Sequence, residues 1–148
     1  MNDEPLPRRL RRLQNVWAGD GFPRFFLTIC TQDRLAVLAN DTVHQRLRGF
    51  MAGSVARYGW HVGGYVLMPD HLHLLVAQGH GAVTLGEWVK ALKAMLGRRE
   101  FRWQPGFFDH VLRSRESETE KWEYIRHNPV RKQLVTRPED WPYAGDGM

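Results

Sequence analysis

The sequence contains a single cysteine, and it lacks both a long hydrophobic run and an internal repeat. Cys30 alone cannot form an internal disulfide, which excludes a cystine framework and a thiolate zinc site and fits a reducing compartment. The longest apolar stretches, such as residues 72–77, are far shorter than the roughly 20 residues that a membrane helix needs. No apolar segment follows the first arginines, so the start of the chain is not typical of a secretory signal. We therefore expect a cytoplasmic protein with no membrane partner.

Lysine is also scarce, because most of the 21 basic residues are arginines; 16 acidic residues leave a net charge of +5. The planar guanidinium group suits bidentate contacts with phosphate better than a lysine ammonium does. A nucleic-acid partner explains this bias, and so does a genome rich in G and C, so composition leaves both explanations open. With 148 residues, 43% of them apolar, the chain can bury one sizeable core but not two.

We predict one folded domain preceded by a basic arm. Residues 1–20 are rich in proline and arginine, and we interpret them as an N-terminal arm, with residues 21–148 forming a single domain. The arm carries four arginines that could hold phosphates, although solvated surface charge is the simpler alternative. These arginines are Arg8, Arg9, Arg11 and Arg12.

Local patterns predict four strands and three helices. Aromatic and β-branched residues indicate strands at 24–31, 63–68, 71–77 and 107–112. Pro69 and Asp70 form a turn between the second and third strands, which indicates a hairpin. Helical spacing of apolar residues predicts helices over 42–58, from 85 to about 99, and from 117 to about 128. This order of elements predicts an α+β, ferredoxin-like sandwich, in which helices cover an antiparallel sheet of about four strands.

Capping residues mark the ends of these helices. We expect Asp41 to cap the first helix and Gly59 to end it. Thr84 and Ser117 each precede a glutamate by three residues, which is the spacing of a capping box. Pro129 disfavours helical geometry in the residue before it, so the last helix is expected to fade there.

Two histidines lie close together in the third predicted strand. Successive side chains on a strand point to opposite faces, so His71 and His73 share one face while Leu72 and Leu74 point to the other. Two imidazoles on one face can share a metal ion. Two polar residues at the open edge of a sheet would give the same pattern, so the spacing leaves both interpretations open.

A second group of polar residues lies in the last predicted helix. Tyr124 and Asn128 are four positions apart, which places them about 40° from one another around a helix. Trp122 and Ile125 form a neighbouring stripe that would dock the helix on the sheet, leaving Lys121 on the same edge as the polar pair. The alternative is a core tyrosine and an asparagine that merely ends the helix.

Longer strings of this sequence resemble a known family. The string YVLMPDHLHLLV is similar to the His-hydrophobic-His signature of HUH endonucleases, specifically the single-tyrosine transposases. The string YIRHNPVR resembles the tyrosine helix of the REP-associated tyrosine transposases, named for repetitive extragenic palindromes. Further similar strings are RFFLTICTQDR, FFDHVLR and LVTRPEDWPY, and together they run in the family's order from residue 24 to residue 143.

The resemblance implies a function and a site. Residues 21–148 would form one HUH transposase catalytic domain with an extra C-terminal helix carrying the tyrosine. Carried over by position, His71, His73 and Asn128 would be metal ligands, and Tyr124 would be the nucleophile. The implied activity is nicking and rejoining of single-stranded or hairpin DNA, of the repetitive extragenic palindrome type, through a 5′-phosphotyrosine. Two imidazoles alone would suit zinc, whereas an amide oxygen, phosphate oxygens and waters favour Mg²⁺ or Mn²⁺; we follow the family and expect Mg²⁺ or Mn²⁺.

This chain departs from the family pattern at two places. Asp70 stands directly before the histidine pair, where many members have Asn, and in a regular strand it would face away from the histidines. Lys132 and Gln133 follow the NPVR string, where Ala-Gly is common, and we expect them to affect only the path by which the chain leaves the site.

Other basic side chains could line the path of a DNA strand, with solvated surface charge as the alternative. These residues are Lys90, Lys93, Lys121 and Arg131. His110 and His127 are unassigned candidates for a general base. We expect a bacterial cytoplasmic protein at nucleoid-associated DNA, as a monomer or a homodimer.

Three other functions compete with this hypothesis. A non-catalytic DNA-binding protein would keep the fold and the arm without needing the intact histidine, tyrosine and asparagine set. A relaxase-like or replication-initiator-like HUH nickase would share the chemistry, but the NPVR string and the short chain favour the transposase group. A two-histidine RNA phosphoesterase normally needs a second His-x-Ser/Thr motif, which this sequence lacks.

Overall fold

The computed structural model describes residues 23–146, in which five strands form an antiparallel sheet. The strands are β1 (Arg24–Cys30), β2 (Trp60–Leu67), β3 (His71–Gln78), β4 (Phe108–Val111) and β5 (Ala144–Asp146), in the spatial order β4-β1-β3-β2-β5. The helices are α1 (Asp41–Tyr58), α2 (Leu85–Gly97), α3 (Arg115–Arg126) and α4 (Asn128–Arg131), with short 3-10 helices at Gln32–Arg34 and Pro138–Asp140. This architecture confirms the predicted α+β class. The predicted arm at residues 1–20 lies outside the described residues.

The sheet has one strand more than the sequence indicated. β5 has three residues and pairs antiparallel with the outer edge of β2. A strand this short carries little periodic signal, which is why the prediction missed it. Among the helices within residues 23–146, none has the length and hydrophobicity that spanning a lipid bilayer requires.

One face of the sheet carries the larger hydrophobic core. Side chains that alternate along β1, β2 and β3 meet the apolar faces of α1 and α2 there. Trp60 and Trp88 are fully buried, and the Trp88 indole donates a 2.9 Å hydrogen bond to the Ser54 hydroxyl, which in turn donates to the Trp60 carbonyl at 2.6 Å. Burial of each large apolar side chain contributes about 1.5–3 kcal/mol, so this face supplies much of the stability.

The opposite face carries a smaller core, and α3 packs on it. Val66 and Leu75 from the sheet, and Met68 just after β2, meet Ile125 of α3, with Trp122 packed at the margin. The pairing of β2 with β3 shifts register between Val62 and Tyr65, as at a β-bulge. Gly64 lies in this bulge, and a Cβ atom there would overlap the Trp122 indole. The glycine therefore allows α3 to dock directly on the sheet through Trp122.

The first two helices begin and end close to their predicted bounds. α1 ends at Gly59, which has the left-handed φ of 80° that favours glycine. The capping box at Thr84 is confirmed in both of its hydrogen bonds. The cap of α1 is Asn40 rather than the predicted Asp41, because the Asn40 side chain accepts from the backbone N–H of Val43.

The last helix differs from its prediction at both ends. Its cap is Ser114 rather than Ser117, because the Ser114 hydroxyl accepts from the Ser117 backbone N–H. α3 ends at Arg126, and after His127 the chain forms the separate short helix α4, with Pro129 in its first turn. A break near Pro129 is confirmed, but it lies at His127, and Asn128, where the helix was expected to fade, is itself helical. Tyr124 and Asn128 therefore lie on two helices and not on one.

Candidate functional site

His71 and His73 project from the same face of β3, as the alternation predicts. Their ring centroids are 4.7 Å apart and the rings are nearly perpendicular, at 77°. Leu72 and Leu74 are fully buried in the core on the other face. The β2–β3 hairpin that presents the two histidines turns through Pro69 and Asp70, with a 2.8 Å hydrogen bond from the Met68 N–H to the His71 carbonyl. The pair is therefore held at the end of a central strand, on the face that α3 covers.

His71 is buried and has a polar contact at each ring nitrogen. Its Nδ1 lies 2.7 Å from Oδ1 of Asp70, and its Nε2 lies 3.2 Å from Nδ2 of Asn128. A carboxylate can only accept, so Nδ1 carries the hydrogen and Nε2 presents its lone pair. Burial lowers the pKa of His71 below its ordinary value, although the Asp70 carboxylate opposes this change. At neutral pH the ring is therefore uncharged, and its Nε2 lone pair accepts from Asn128 Nδ2, so Nε2 could bind a metal ion once this amide turns.

His73 is held by strand β1. Its Nδ1 lies 3.0 Å from the Thr28 hydroxyl, and the Phe26 ring stacks on it with centroids 5.3 Å apart. Burial lowers the pKa of His73 to about 3, and the His71, Arg131 and Lys121 charges add to this effect. The Thr28 contact engages Nδ1, so Nε2 would be the ring nitrogen that serves as a ligand. Both histidines thus have the neutral form that metal ligation requires.

Asn128 completes a donor set with the two histidines. Its side chain is buried, Nδ2 faces His71, and Oδ1 accepts from Nη2 of Arg131 at 3.4 Å. Within residues 23–146 no group of three or more His, Cys, Asp or Glu side chains could hold a metal ion, so the third protein ligand here would be an amide. A half-turn of the Asn128 amide would exchange its oxygen and nitrogen and direct Oδ1 toward His71. Two neutral imidazoles and one amide oxygen then fit a divalent cation that completes its shell with water and phosphate oxygens.

Tyr124 lies on the exposed side of α3 and is linked to this donor set through Arg131. Its side chain is 61% exposed, so the alternative of a core tyrosine is wrong. The Arg131 guanidinium lies over the Tyr124 ring, 3.8 Å from its centroid. Because Arg131 also contacts Asn128, one cation joins the tyrosine to the buried donor set.

Asp70 does not face away from the histidines, so the expectation for this residue is wrong. It lies in the turn before β3 rather than in a regular strand, and strand alternation does not apply there. Its Oδ1 meets His71, and its Oδ2 accepts from Nε of Arg34 at 3.0 Å. Burial would raise the pKa of Asp70, but the hydrogen bonds from His71 and Arg34 lower it below its ordinary value. The sequence signal for this contact was the position of a carboxylate directly before a candidate ligand histidine.

Lys132 also lies closer to the site than expected. A cavity of about 220 Å³ opens beside His71, and Lys132 forms part of its wall. The lysine charge contributes to the lowered pKa of His71, so the interpretation that this position affects only the exit path is wrong. The cavity has two cationic side chains over a largely apolar surface. Its lining residues are Arg34, Ala36, Met68, Pro69, Asp70, His71, Lys132 and Leu134.

The predicted DNA contacts divide into two groups. Lys121 and Arg131 lie near His73, where both charges lower its pKa, and the Lys121 ammonium lies 4.9 Å from the Phe26 ring centroid. Lys90 and Lys93 lie on α2, which packs on the opposite face of the sheet. The Lys93 ammonium is also occupied, because it donates to two backbone carbonyls of the following loop at 2.9 and 2.6 Å. The predicted contacts in the arm, namely Arg8, Arg9, Arg11 and Arg12, lie outside the described residues.

The two unassigned histidines lie in different elements. His127 donates from Nδ1 to the Glu123 backbone carbonyl at 2.8 Å, in the linker between α3 and α4. His110 is exposed on the edge strand β4, opposite Phe26 in register. Their candidacy as a general base rests on the sequence alone.

Comparison with known proteins gives a consistent result along most of the chain. The family model described as "Transposase IS200 like" matches residues 24–128. A REP-associated tyrosine transposase of Escherichia coli (strain K12) is 24% identical over 124 residues, which cover 81% of this chain and 74% of that protein. A Haemophilus influenzae protein named as a REP-associated tyrosine transposase is 26% identical over 137 residues, which cover 81% of this chain and 77% of that protein.

Solved structures show the same fold. The structure of a REP-associated tyrosine transposase bound to a REP hairpin superposes with a TM-score of 0.72 and 23% identity, covering 82% of this chain and 75% of that chain. A crystal structure of a Deinococcus radiodurans protein described as a transposase has a TM-score of 0.52 and 23% identity, covering 74% of this chain and 93% of that chain.

Proposed function

The chain belongs to the IS200-like transposase family, and from that membership we propose that it nicks and rejoins single-stranded DNA at hairpin sequences through a 5′-phosphotyrosine on Tyr124. One observation carries this proposal. His71 and Asn128 are 57 positions apart in sequence, yet the fold brings their side chains to 3.2 Å, next to an exposed tyrosine. A core that only required stability would not bring two uncharged imidazoles and an amide together, with Arg131 linking the amide to an exposed tyrosine ring.

The identity of the DNA follows by similarity. Relatives covering 81% of this chain carry the name REP-associated tyrosine transposase, and a solved relative of the same fold holds a REP hairpin. We therefore propose hairpin DNA of the repetitive extragenic palindrome type as the substrate. This similarity also favours a transposase over a relaxase-like or replication-initiator-like nickase.

His71, His73 and Asn128 would hold the divalent cation, Mg²⁺ or Mn²⁺. When bound, the ion supplies Lewis-acid chemistry that makes the scissile phosphate more electrophilic. The protein contributes the neutral form of both imidazoles, and Asn128 must turn its amide so that Oδ1 replaces Nδ2 at the site.

Tyr124 would act as the nucleophile. A phenol is a weak nucleophile at neutral pH, and the Arg131 guanidinium, 3.8 Å from the ring centroid, holds the Tyr124 ring in place. The phenol gives up its proton to solvent as its oxygen bonds to phosphorus. The bond between phosphorus and the 3′ oxygen breaks, and that oxygen takes up a proton from solvent to give a free 3′-hydroxyl. Because one phosphate ester replaces another, a second 3′-hydroxyl can later reverse the step without ATP.

The strand would pass over the face of the sheet that carries the histidines. Lys121 and Arg131 lie on one side of the pair, and Arg34 and Lys132 line the cavity on the other. These four cations would contact phosphates on either side of the scissile bond. Since Lys90 and Lys93 lie on α2, across the sheet from the histidines, they are not part of this path.

A covalent-adduct assay tests the proposal. End-labelled single-stranded hairpins with randomised flanks are incubated with the protein and Mn²⁺ or Mg²⁺, and a denaturing gel resolves covalent protein–DNA complexes. The wild type is expected to form an adduct that chelation abolishes and that Tyr124→Phe cannot form. Tyr143→Phe is the matched control, because Tyr143 lies in the C-terminal segment and its hydroxyl contacts Asp41, at the start of α1, at 3.3 Å.

The other outcomes assign the protein elsewhere. An adduct with Tyr124→Phe would move the nucleophile to another residue. Cleavage that survives chelation would reject the metal site. Retention of hairpins on a native gel with no adduct under any condition would favour the non-catalytic DNA-binding protein.

A further inference from the structure

The Asp70 carboxylate is held between a histidine and an arginine. Oδ1 lies 2.7 Å from Nδ1 of His71, and Oδ2 lies 3.0 Å from Nε of Arg34. Nη2 of the same arginine lies 3.3 Å from Nδ1 of His71. His71 Nδ1 thus has two neighbours of opposite hydrogen-bonding character, a carboxylate that can only accept and a guanidinium that can only donate.

These two neighbours favour different tautomers of His71. Asp70 requires a hydrogen on Nδ1, which leaves the lone pair on Nε2, toward Asn128. Arg34 could donate to Nδ1 only if the hydrogen were on Nε2, and that tautomer cannot bind a metal ion through Nε2. The contact with Asp70 is the shorter one, so the carboxylate determines the tautomer.

We propose that Asp70 is a positioning residue that holds the hydrogen of His71 on Nδ1, with Arg34 fixing the carboxylate, and that it thereby strengthens divalent-cation binding by His71, His73 and Asn128. The cation-binding part of this inference rests on the proposed function. Carboxylates that accept the second ring N–H of a ligand histidine orient the ring and raise its basicity.

An asparagine in place of Asp70 would no longer favour one tautomer of His71 over the other. Its side chain has both an acceptor oxygen and a donor NH₂ group, so it could pair with either tautomer of His71. It would also leave the Arg34 guanidinium without its carboxylate partner, beside Nδ1. Asp70→Asn is therefore an isosteric substitution that removes the selection of tautomer and leaves the three ligands in place.

Two measurements on the full chain test the proposal. Long-range ¹H–¹⁵N NMR spectra of the histidine rings report the tautomer of His71 in the metal-free protein, and titration calorimetry with Mn²⁺ reports affinity. We expect the wild type to hold His71 with hydrogen on Nδ1, and Asp70→Asn to populate both tautomers. Its Mn²⁺ dissociation constant is expected to rise about 10- to 100-fold.

The chain offers a matched control and a second variant. Asp140 also pairs with an arginine, Arg137, at 3.0 Å, in the 3-10 helix at Pro138–Asp140, so Asp140→Asn removes a carboxylate–arginine pair and is expected to change neither measurement. Arg34→Gln keeps Asp70 and is expected to retain the Nδ1 tautomer with a smaller loss of affinity.

The outcomes separate this inference from the proposed function. An Asp70→Asn variant with wild-type tautomer and wild-type Mn²⁺ affinity would overturn the inference, as would an Arg34→Gln variant that alone changed the tautomer. A wild type that binds no Mn²⁺ would overturn the proposed metal site and the affinity part of the inference, while the NMR spectra still decide whether Asp70 selects the tautomer.

Discussion

The two faces of the sheet use the same strand for different purposes. On β3, Leu72 and Leu74 point into the large core beneath α1 and α2, while His71 and His73 point to the face covered by α3. The first face is closed by two helices of 18 and 13 residues, and the second by one helix of 12 residues. From this difference we infer that apolar burial on the face beneath α1 and α2 stabilises the fold. The face beneath α3 can therefore hold polar side chains and stay only partly covered.

The largest effect on stability is expected on the face with the large core. Leu72 lies between the two histidines in sequence but is fully buried on the opposite face. We expect Leu72→Ala to lower the free energy of unfolding by about 2–5 kcal/mol, because it removes buried methyl groups and leaves a cavity. Urea unfolding measures the change. A Leu72→Ala protein as stable as the wild type would contradict the division of roles between the faces.

The placement of leucines on one face of β3 and histidines on the other could be predicted from the sequence, because alternation along residues 71–77 requires no knowledge of the rest of the fold. The capping box at Thr84 and the break before Pro129 were predictable for the same reason, since each depends on a few neighbouring residues. The contact of Asp70 with His71 was missed although the two residues are adjacent, because the direction of a side chain in a tight turn depends on the turn and on Arg34, a distant partner. The position of Lys90 was not predictable either, since the charge of a residue does not reveal which face of the sheet its helix covers.

Docking of α3 on the second face depends on a glycine. Any side chain at Gly64 would overlap the Trp122 indole. We expect Gly64→Ala to cost about 1–3 kcal/mol of unfolding free energy, since the helix must shift to relieve the overlap. Tyr124 moves with that helix, so adduct formation should fall more than stability does.

The control for this substitution is Gly86→Ala, at a helical glycine where a Cβ atom would meet nothing within 4 Å. Hydrogen exchange of α3 amides would locate the change. Protection unchanged in α3 of the Gly64→Ala protein would show that Trp122 is not what docks the helix.

The histidine face should also respond to pH in the metal-free protein. The folded-state pKa of His73 is lowered from 6.5 to about 3 by burial, so protonation favours the unfolded chain. Its contribution to stability is complete above pH 6.5 and is lost as pH falls toward 3. In that window His73→Gln is expected to reduce the slope of unfolding free energy against pH by up to about 1.4 kcal/mol per pH unit.

His44 and His71 also have lowered pKa values, so some slope will remain in the His73→Gln protein. Urea unfolding in the presence of a chelator, at intervals from pH 7 to pH 4, measures the effect. Identical slopes for the variant and the wild type would show that His73 is not a buried neutral imidazole.

The smallest effect on stability is expected for Arg131, which lies on the surface of the second face. Its guanidinium lies 3.8 Å from the centroid of the Tyr124 ring, and its Nη2 lies 3.4 Å from Asn128 Oδ1. An exposed cation–π contact such as the one with Tyr124 contributes about 0.5–1 kcal/mol. Its role in the proposed function is different, because there it would hold the Tyr124 ring and contact the scissile phosphate. Loss of a charged hydrogen bond made in the transition state corresponds to about a tenfold to hundredfold lower rate.

We therefore expect Arg131→Gln to slow adduct formation by that factor with unfolding nearly unchanged, whereas Arg137→Gln, which removes an arginine paired with Asp140, changes neither. If Arg131→Gln reduced stability and rate in proportion, the second face would depend on its polar contacts for folding, and the contrast between the two faces would fail.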